Sequence, residues 1–520
     1  MSALLKGILI FALAQVDADL VISGGNLHTG DGKPAQTGDI AIKGDRIVAV
    51  GTFQVSGNPR RIDAKGMIVA PGFIDLHTHS DYPMQKTPTN ANLNYLLQGV
   101  TTVVTGNCGS GPVDTAGYLA ALAKVKIGSN VAHQVPHNDV RRKVMGNVDR
   151  APTAKELEQM AELTDKAMRD GAWGLSTGLI YNPGTYSKTP ELIALAKVAA
   201  RHGGFYASHI RDEGAGVLAA VEEAITIGKE AGLGVHVSHI KVSGRAQWGK
   251  AGSVAERIAS ARQAGQKVTA DQYPYTASST SLTATVIPAR FREGERADLV
   301  RRFADPVTGP QLREAISQSL GKRDAGADIR IARHGPKPAW SGKTIAEIAA
   351  LTKRTPVEVV EEIERDGGAQ IINFGMNDDD MRLFMKLDFV ATASDGGAMV
   401  PDKTSAPHPR SYGTFARKVG FFSIKEGVVP VEVAIRSCSG LPADILGFSD
   451  RGYLKKGHHA DMVVLDPARY IDTATYDKPH QYARGAVAVI VNGAVAVENG
   501  KATGVLAGRP LVHRGSKSAP

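Results

Sequence analysis

The chain has 520 residues, of which 42% are hydrophobic, 22% charged and 6% aromatic, with 57 Gly and 26 Pro; this composition excludes disordered and collagen-like chains. At about 150 residues per domain the length predicts two to four domains and a core large enough to stand without staples. The 61 Lys plus Arg exceed the 52 Asp plus Glu by 9 charges, which favours anionic partners; yet the longest basic run, Arg141-Arg142-Lys143, is short and lacks interleaved aromatics. Small anionic molecules rather than nucleic acid are therefore expected, and the run reads as a solvated face.

Residues 1–14, MSALLKGILIFALA, carry one lysine, an apolar run from Gly7 to Ala14, and Ala12-Leu13-Ala14 as a small-x-small cleavage site. This pattern predicts a signal peptide, a mature chain starting near Gln15, and export to the periplasm. The alternative is a cytoplasmic protein whose first segment is a β-strand. Asp17 and Asp19 break the run before a separate strand pattern begins. The run is also too short to span a bilayer, which takes about 20 residues, and no later segment qualifies.

From residue 15 to 68 the text is short β-like runs punctuated by Gly, such as DLVISGG and DIAIKGDRIVAVG. The same texture returns over 451–520 in ADMVVLDP and AVAVIVNGAVAVENG, where Asn492-Gly493 between two valine-rich runs signals a hairpin. Neither half suffices for a domain, so the two ends are expected to pair into one small β-sandwich.

Between them, apolar runs end in polar residues and alternate with helical stretches such as PTAKELEQMAELTDKAMRDG and VLAAVEEAITIGKEAG. Eight strand ends stand out: His79, Cys108, Pro136, Ile180, His209, His239, Tyr273 and Asp395. Their spacings are 29, 28, 44, 29, 30, 34 and 122 residues, against about 31 per unit in a (β/α)8 barrel. The predicted fold class is thus α/β, a (β/α)8 TIM barrel with its strands 1–7 in 69–289 and strand 8 with the last helices in 388–450. The long gap predicts an insertion over 290–387, forming a lid or small helical subdomain between strands 7 and 8.

Barrel enzymes carry their chemistry at the C-terminal ends of the strands. In GFIDLHTHSD, His77 and His79 are two apart, so on a strand both point to one face, about 6.6 Å of rise apart. His209 in FYASHIRDE and His239 in VHVSHIK repeat one Ser-His-Ile pattern thirty residues apart, one barrel step, which two unrelated core histidines would rarely do. Cys108 ends the second strand in TTVVTGNCGSG, where a thiolate is a good zinc ligand and Gly109 leaves room for close approach. Asp395 in FVATASDGG reads as metal ligand and proton shuttle. Cys438, with no such partners, reads as structural.

The set GFIDLHTHSD, GNCGSGP, GLSTGLIYNPG, SHIRDE, VSHIK, DQYPYTA, ASDGG, HPRSYGTF and GYLKKGHHADMVVLDP resembles the amidohydrolase superfamily, specifically its D-aminoacylase (N-acyl-D-amino-acid deacylase) branch. The resemblance covers nearly the whole chain after Asp17. The Asn-Cys-Gly element is its most specific part, since related branches use a carboxylated lysine or a glutamate as the bridging ligand. The resemblance implies a tight zinc site at Cys108, His209 and His239 and a weaker one at His77, His79 and Asp395, holding one or two zinc ions per chain. It also implies a clamp for the substrate α-carboxylate made of Lys241, Tyr273 and Arg410, with Tyr275 as the alternate to Tyr273.

The reaction so implied is zinc-dependent hydrolysis of an N-acyl-D-amino acid to a carboxylate and a free D-amino acid. The partner is a small molecule with a free carboxylate. A dipeptidase acting on a C-terminal D-residue is the alternative inside the fold, while a cyclic amidase of the dihydroorotase or hydantoinase type would call for a carboxylated lysine where Cys108 stands. A non-catalytic scaffold would be expected to lack ligands, and here all six positions are filled.

Overall fold

The computed structural model describes residues 15–515; the segment expected to be a signal peptide lies outside them. Eight short strands form the centre: β1 (Phe73–Asp75), β2 (Val100–Thr105), β3 (Asn130–His133), β4 (Gly174–Gly178), β5 (Phe205–His209), β6 (Val235–Val237), β7 (Val268–Gln272) and β8 (Val390–Thr392). All neighbours along this order pair in parallel, with β3 continued by Val135–Pro136 against β4. Just past the first and last strands, Thr78 and Gly396 form a parallel bridge, so β1 and β8 meet.

The strands are almost wholly buried, as expected where helices cover a parallel sheet. Those helices follow the sequence signals. Ala154–Arg169 starts with a capping box between Thr153 and Glu156, and it buries Met160, Thr164, Ala167 and Met168 at helical spacing. Val217–Ala231 stops at Gly232, whose φ of 72° is left-handed. Leu192, Leu195, Val221, Ile225 and Ile258 from the helices share one core with Val135, Leu175, Val235, Val268 and Val390.

Helix His137–Met145 overturns the solvated reading of the basic run. Arg141 is fully buried and pairs with Glu191 at 3.1 Å, the same carboxylate that lies 3.0 Å from His137. Helical phase is the reason: residues four apart share a face, so Arg141 follows His137 inward while Arg142 and Lys143 point out.

The chain ends do pair. Leu20–Leu27, Gln36–Lys43, Arg46–Gly51, Arg60–Asp63 and Ile68–Pro71 join Met462–Leu465, Ala486–Val491, Ala494–Glu498 and Lys501–Ala502 in one continuous nine-stranded sheet. A sandwich of two sheets was expected; instead Ile68–Pro71, buried throughout, pairs with Leu20–Leu27 on one edge and Met462–Leu465 on the other and stitches the halves together. Both arms still share one core, with Leu20, Ile22, Ile40 and Ile42 against Met462, Val464 and Ile490. The Asn492-Gly493 turn forms as read, with φ of 47° and 81°.

The excursion between β7 and β8, expected over 290–387 as a lid or small helical subdomain, is more than helical. It begins earlier, and it contains a three-stranded antiparallel sheet of Ser278–Ser281, Gln370–Asn373 and Ile329–Arg333. Its helices pack around a core of their own that includes Phe291, Phe303, Leu312, Ile316, Ile348 and Ile363. Cys438 is buried in the large core beside the end-built sheet, a structural place. Among the described residues no helix is long and apolar enough to cross a membrane.

Candidate metal centre

Six side chains singled out in the sequence converge just beyond the C-terminal ends of the strands. Donor atoms of His77, His79, Cys108 and Asp395 lie within 4.8 Å of one another, as do those of Cys108, His209 and His239. Cys108 belongs to both groups. Its sulfur stands 3.2 Å from His77 Nε2, 3.6 Å from His209 Nδ1 and 3.7 Å from His239 Nε2. His79 Nε2 lies 3.0 Å from Asp395 Oδ1, and His77 Nε2 lies 3.5 Å from the same oxygen.

His209 is the last residue of β5, and the other ligands lie in the turns beyond the strands. β1 stops at Asp75, two residues before His77, yet the chain stays extended through the Thr78 bridge, so both imidazoles reach the cluster. Cys108, His239 and Asp395 all have positive φ, at 52°, 36° and 51°. Non-glycine residues rarely adopt that region, and such strain gathers at functional sites held by their surroundings.

The surroundings here are specific. Asn107 donates its amide to Leu76 O at 3.2 Å and Val104 O at 3.0 Å, tethering the Cys108 turn to the chain beside His77. Gly106 N donates to Asp81 Oδ1 at 2.7 Å, and Gly109 N to Ser176 Oγ at 3.0 Å.

The electrostatics suit a cation. Burial pushes the His77 pKa down to about 4, and burial with the neighbouring His239 lowers that of His209 well below its ordinary value, so both rings are neutral lone-pair donors at pH 7. Burial, reinforced by Asp395, pushes the Cys108 thiol well up. Burial would raise the Asp395 carboxyl, but Arg410, whose Nη1 lies 2.7 Å from Oδ2, holds it well below the usual carboxylate range. His209 Nε2 is a buried nitrogen with no hydrogen-bond partner. One thiol, four imidazoles and one carboxylate around such a point form a donor set that zinc accepts.

The clamp residues separate. Arg410 lines a cavity of about 550 Å³ that reaches the cluster past His79, Cys108 and Asp395, with Tyr181 and Ser279 on its wall. Tyr273 stacks behind it, its ring 4.8 Å from the guanidinium. Lys241 lies beyond, 5.6 Å from that ring and 2.6 Å from His239 Nδ1, and it is ion-paired with Glu213. Tyr275, the alternate, is stacked by Arg417 and its hydroxyl has no partner.

Two carboxylates were missed in the sequence although both stood in strings that had been singled out. Glu213 of SHIRDE reaches His239 Nδ1 at 3.1 Å; burial would raise its pKa, and Lys241 holds it well down. Asp271 of DQYPYTA sits under the cluster against His77, where His77 and His236 overcome burial and keep its pKa far below the usual range. A carboxylate four residues past a strand-end histidine, or near the end of a neighbouring strand, was the available signal.

The amidohydrolase-family sequence profile matches residues 60–497. A D-aminoacylase from Alcaligenes xylosoxydans xylosoxydans is 35% identical over 517 residues, covering 95% of this chain and 97% of that protein. This chain belongs to the amidohydrolase family, in its D-aminoacylase branch. Another amidohydrolase relative, an N-acyl-D-glutamate deacylase from the same organism, is 36% identical over 502 residues, covering 92% of this chain and 93% of that one. The solved N-acyl-D-glutamate deacylase from Bordetella bronchiseptica, complexed with zinc and a phosphonate inhibitor that mimics the reaction's tetrahedral intermediate, is also similar. It matches with a TM-score of 0.82 at 32% identity, covering 96% of this chain and 100% of that chain.

Proposed function

We propose that this amidohydrolase hydrolyses N-acyl-D-amino acids to a carboxylate and a free D-amino acid with zinc as its cofactor. The observation that carries the reading is the Cys108 sulfur, which belongs to both donor groups of the cluster in a chain 35% identical to a D-aminoacylase. Cys108, His209 and His239 would hold one zinc tightly, and His77, His79 and Asp395 a second more weakly. Zinc bound there supplies a Lewis acid for the scissile carbonyl and lowers the pKa of a water molecule.

The rest is the work of the chain. Asp395 takes a proton from the attacking water and passes it to the departing nitrogen, so that the carbon–nitrogen bond breaks to a neutral amine while the acyl group leaves as a carboxylate. Arg410, on the cavity wall beside Asp395, receives the α-carboxylate of the substrate, with Tyr273 and Lys241 completing the clamp from behind it.

In this reading the eight parallel strands close into a (β/α)8 barrel through the Thr78–Gly396 bridge. The end-built β-domain flanks the barrel, and the excursion between β7 and β8 overhangs its mouth, since Ser279, Arg333 and Gln370 line the same cavity. Residues 1–14 serve export to the periplasm, on the strength of their apolar run and small-x-small end.

The deciding experiment is amine release from matched D and L N-acetyl-amino acids and from L,D-dipeptides, with and without zinc. Release from the D N-acetyl compounds alone, dependent on zinc, is the expected result. Preference for the dipeptides would make the enzyme a dipeptidase, and zinc-independent turnover would overturn the reading.

A further inference from the structure

Asp271, the next-to-last residue of β7, is 1% exposed and takes donors from β6 and its following turn and from the chain just past β1. Oδ1 accepts the main-chain N–H of His239 at 2.7 Å. Oδ2 lies 2.7 Å from His236 Nε2 and 3.4 Å from His77 Nδ1. Its own main-chain carbonyl accepts Ile240 N–H at 2.7 Å, so the turn that carries His239 is held on both sides by one residue. His236 is fixed in turn, with Nδ1 2.9 Å from Thr269 Oγ1.

Three consequences follow for the cluster. A carboxylate at Nδ1 of His77 keeps the proton on that nitrogen and leaves the lone pair on Nε2, the atom that faces Cys108 and Asp395. The bond to His239 N pins a residue whose φ of 36° needs such support. And Asp271 is buried and does not line the cavity, so its contacts are with the histidines.

We infer that Asp271, oriented by His236, is a positioning residue for the metal centre, aligning His77 of one donor group and His239 of the other. The inference rests on the metal reading proposed above. Asn at 271 keeps the shape and can still accept from His239 N, but its amide cannot direct the His77 tautomer, so the two donor groups are affected unequally. Partners of this kind change metal affinity by about 10–100-fold when replaced.

The test is zinc retention against a competing chelator, with the absorption of the cobalt-substituted protein as the spectroscopic readout. Asp271→Asn should weaken the more loosely held zinc by about 10–100-fold and shift the cobalt ligand-field bands, while the cobalt–thiolate charge-transfer band from Cys108 persists. His236→Ala, which leaves the carboxylate and removes its donor, should move retention in the same direction by a few-fold. A merely structural role would lower Tm in both variants and leave retention and spectrum alone. Wild-type retention in Asp271→Asn overturns the inference; if that variant does not fold, wild-type retention in His236→Ala does so. A wild-type protein that holds neither zinc nor cobalt overturns the metal reading itself.

Discussion

Arg410 Nη1 lies 2.7 Å from Asp395 Oδ2, and both side chains are buried at the mouth of one cavity. The group assigned to move the proton and the group assigned to hold the substrate's carboxylate are therefore neighbours. A substrate carboxylate that reached Arg410 would bring its scissile bond next to Asp395, which ties recognition to chemistry.

Asp395→Asn should lower kcat by about 10²–10⁴-fold, because the amide cannot take the proton of the attacking water. The tight zinc should stay, since Cys108, His209 and His239 are untouched. Steady-state kinetics with metal analysis of the same preparation checks both, and near-normal turnover would remove Asp395 from the mechanism.

Metal analysis of the purified protein should find between one and two zinc equivalents, with activity lost on chelation and restored by zinc. Removal should also lower Tm, because a ligand bound only by the folded state stabilises it. Tightly held iron alone, or an active preparation without metal, would sink the zinc mechanism.

Gly109→Ala should cost both stability and zinc. Its φ of 71° is left-handed, and an added Cβ would stand 2.2 Å from Asn138 Oδ1 and 2.9 Å from Gly178 N. The backbone conformation alone costs an Ala residue about 1–2 kcal/mol, and relief of the clash would displace the Cys108 turn. A variant with wild-type Tm and zinc content would show that the turn tolerates a side chain.

What the sequence made legible was decided by periodicity and by residue type at strand ends. His77, His209, His239 and Asp395 were readable because each closes an apolar run with a group that has little business in a core. Cys108, though buried, was readable because it stands at a strand end in a turn where Gly109 leaves room for close approach. Arg141 was not: three adjacent basic residues look solvated until the helix phase is known. Glu213 and Asp271 escaped because they act on histidines rather than on the cavity. Ser278–Ser281 escaped because a strand of four hydroxyl-bearing residues carries no apolar alternation; its pairing depends on Gln370–Asn373, about ninety residues later in the chain.

Deleting residues 2–14 should leave a soluble, active enzyme that is no longer exported. The described fold begins with Gln15–Asp17, a short strand pairing with Gln54–Ser56, so every described element is kept in this variant. Cell fractionation and a specific-activity assay check the two parts; an insoluble product at intact expression would make the segment structural instead.

Arg410→Ala separates two roles that its position allows. A guanidinium offers a planar fork of donors matching a carboxylate in two bonds, and losing a charged partner to a buried carboxylate costs about 2–5 kcal/mol, or roughly 30-fold to a few thousand-fold in kcat/KM. If Arg410 reads the substrate, that loss should appear on N-acyl-D-amino acids and hardly at all on the corresponding amides, which are poor substrates from the start. If it serves instead to hold Asp395, 2.7 Å away, acid and amide should fall by the same factor, because both need the proton moved. The acid-to-amide ratio of kcat/KM is therefore the measurement: its collapse in the variant assigns Arg410 to the carboxylate, and an unchanged ratio would assign it to Asp395.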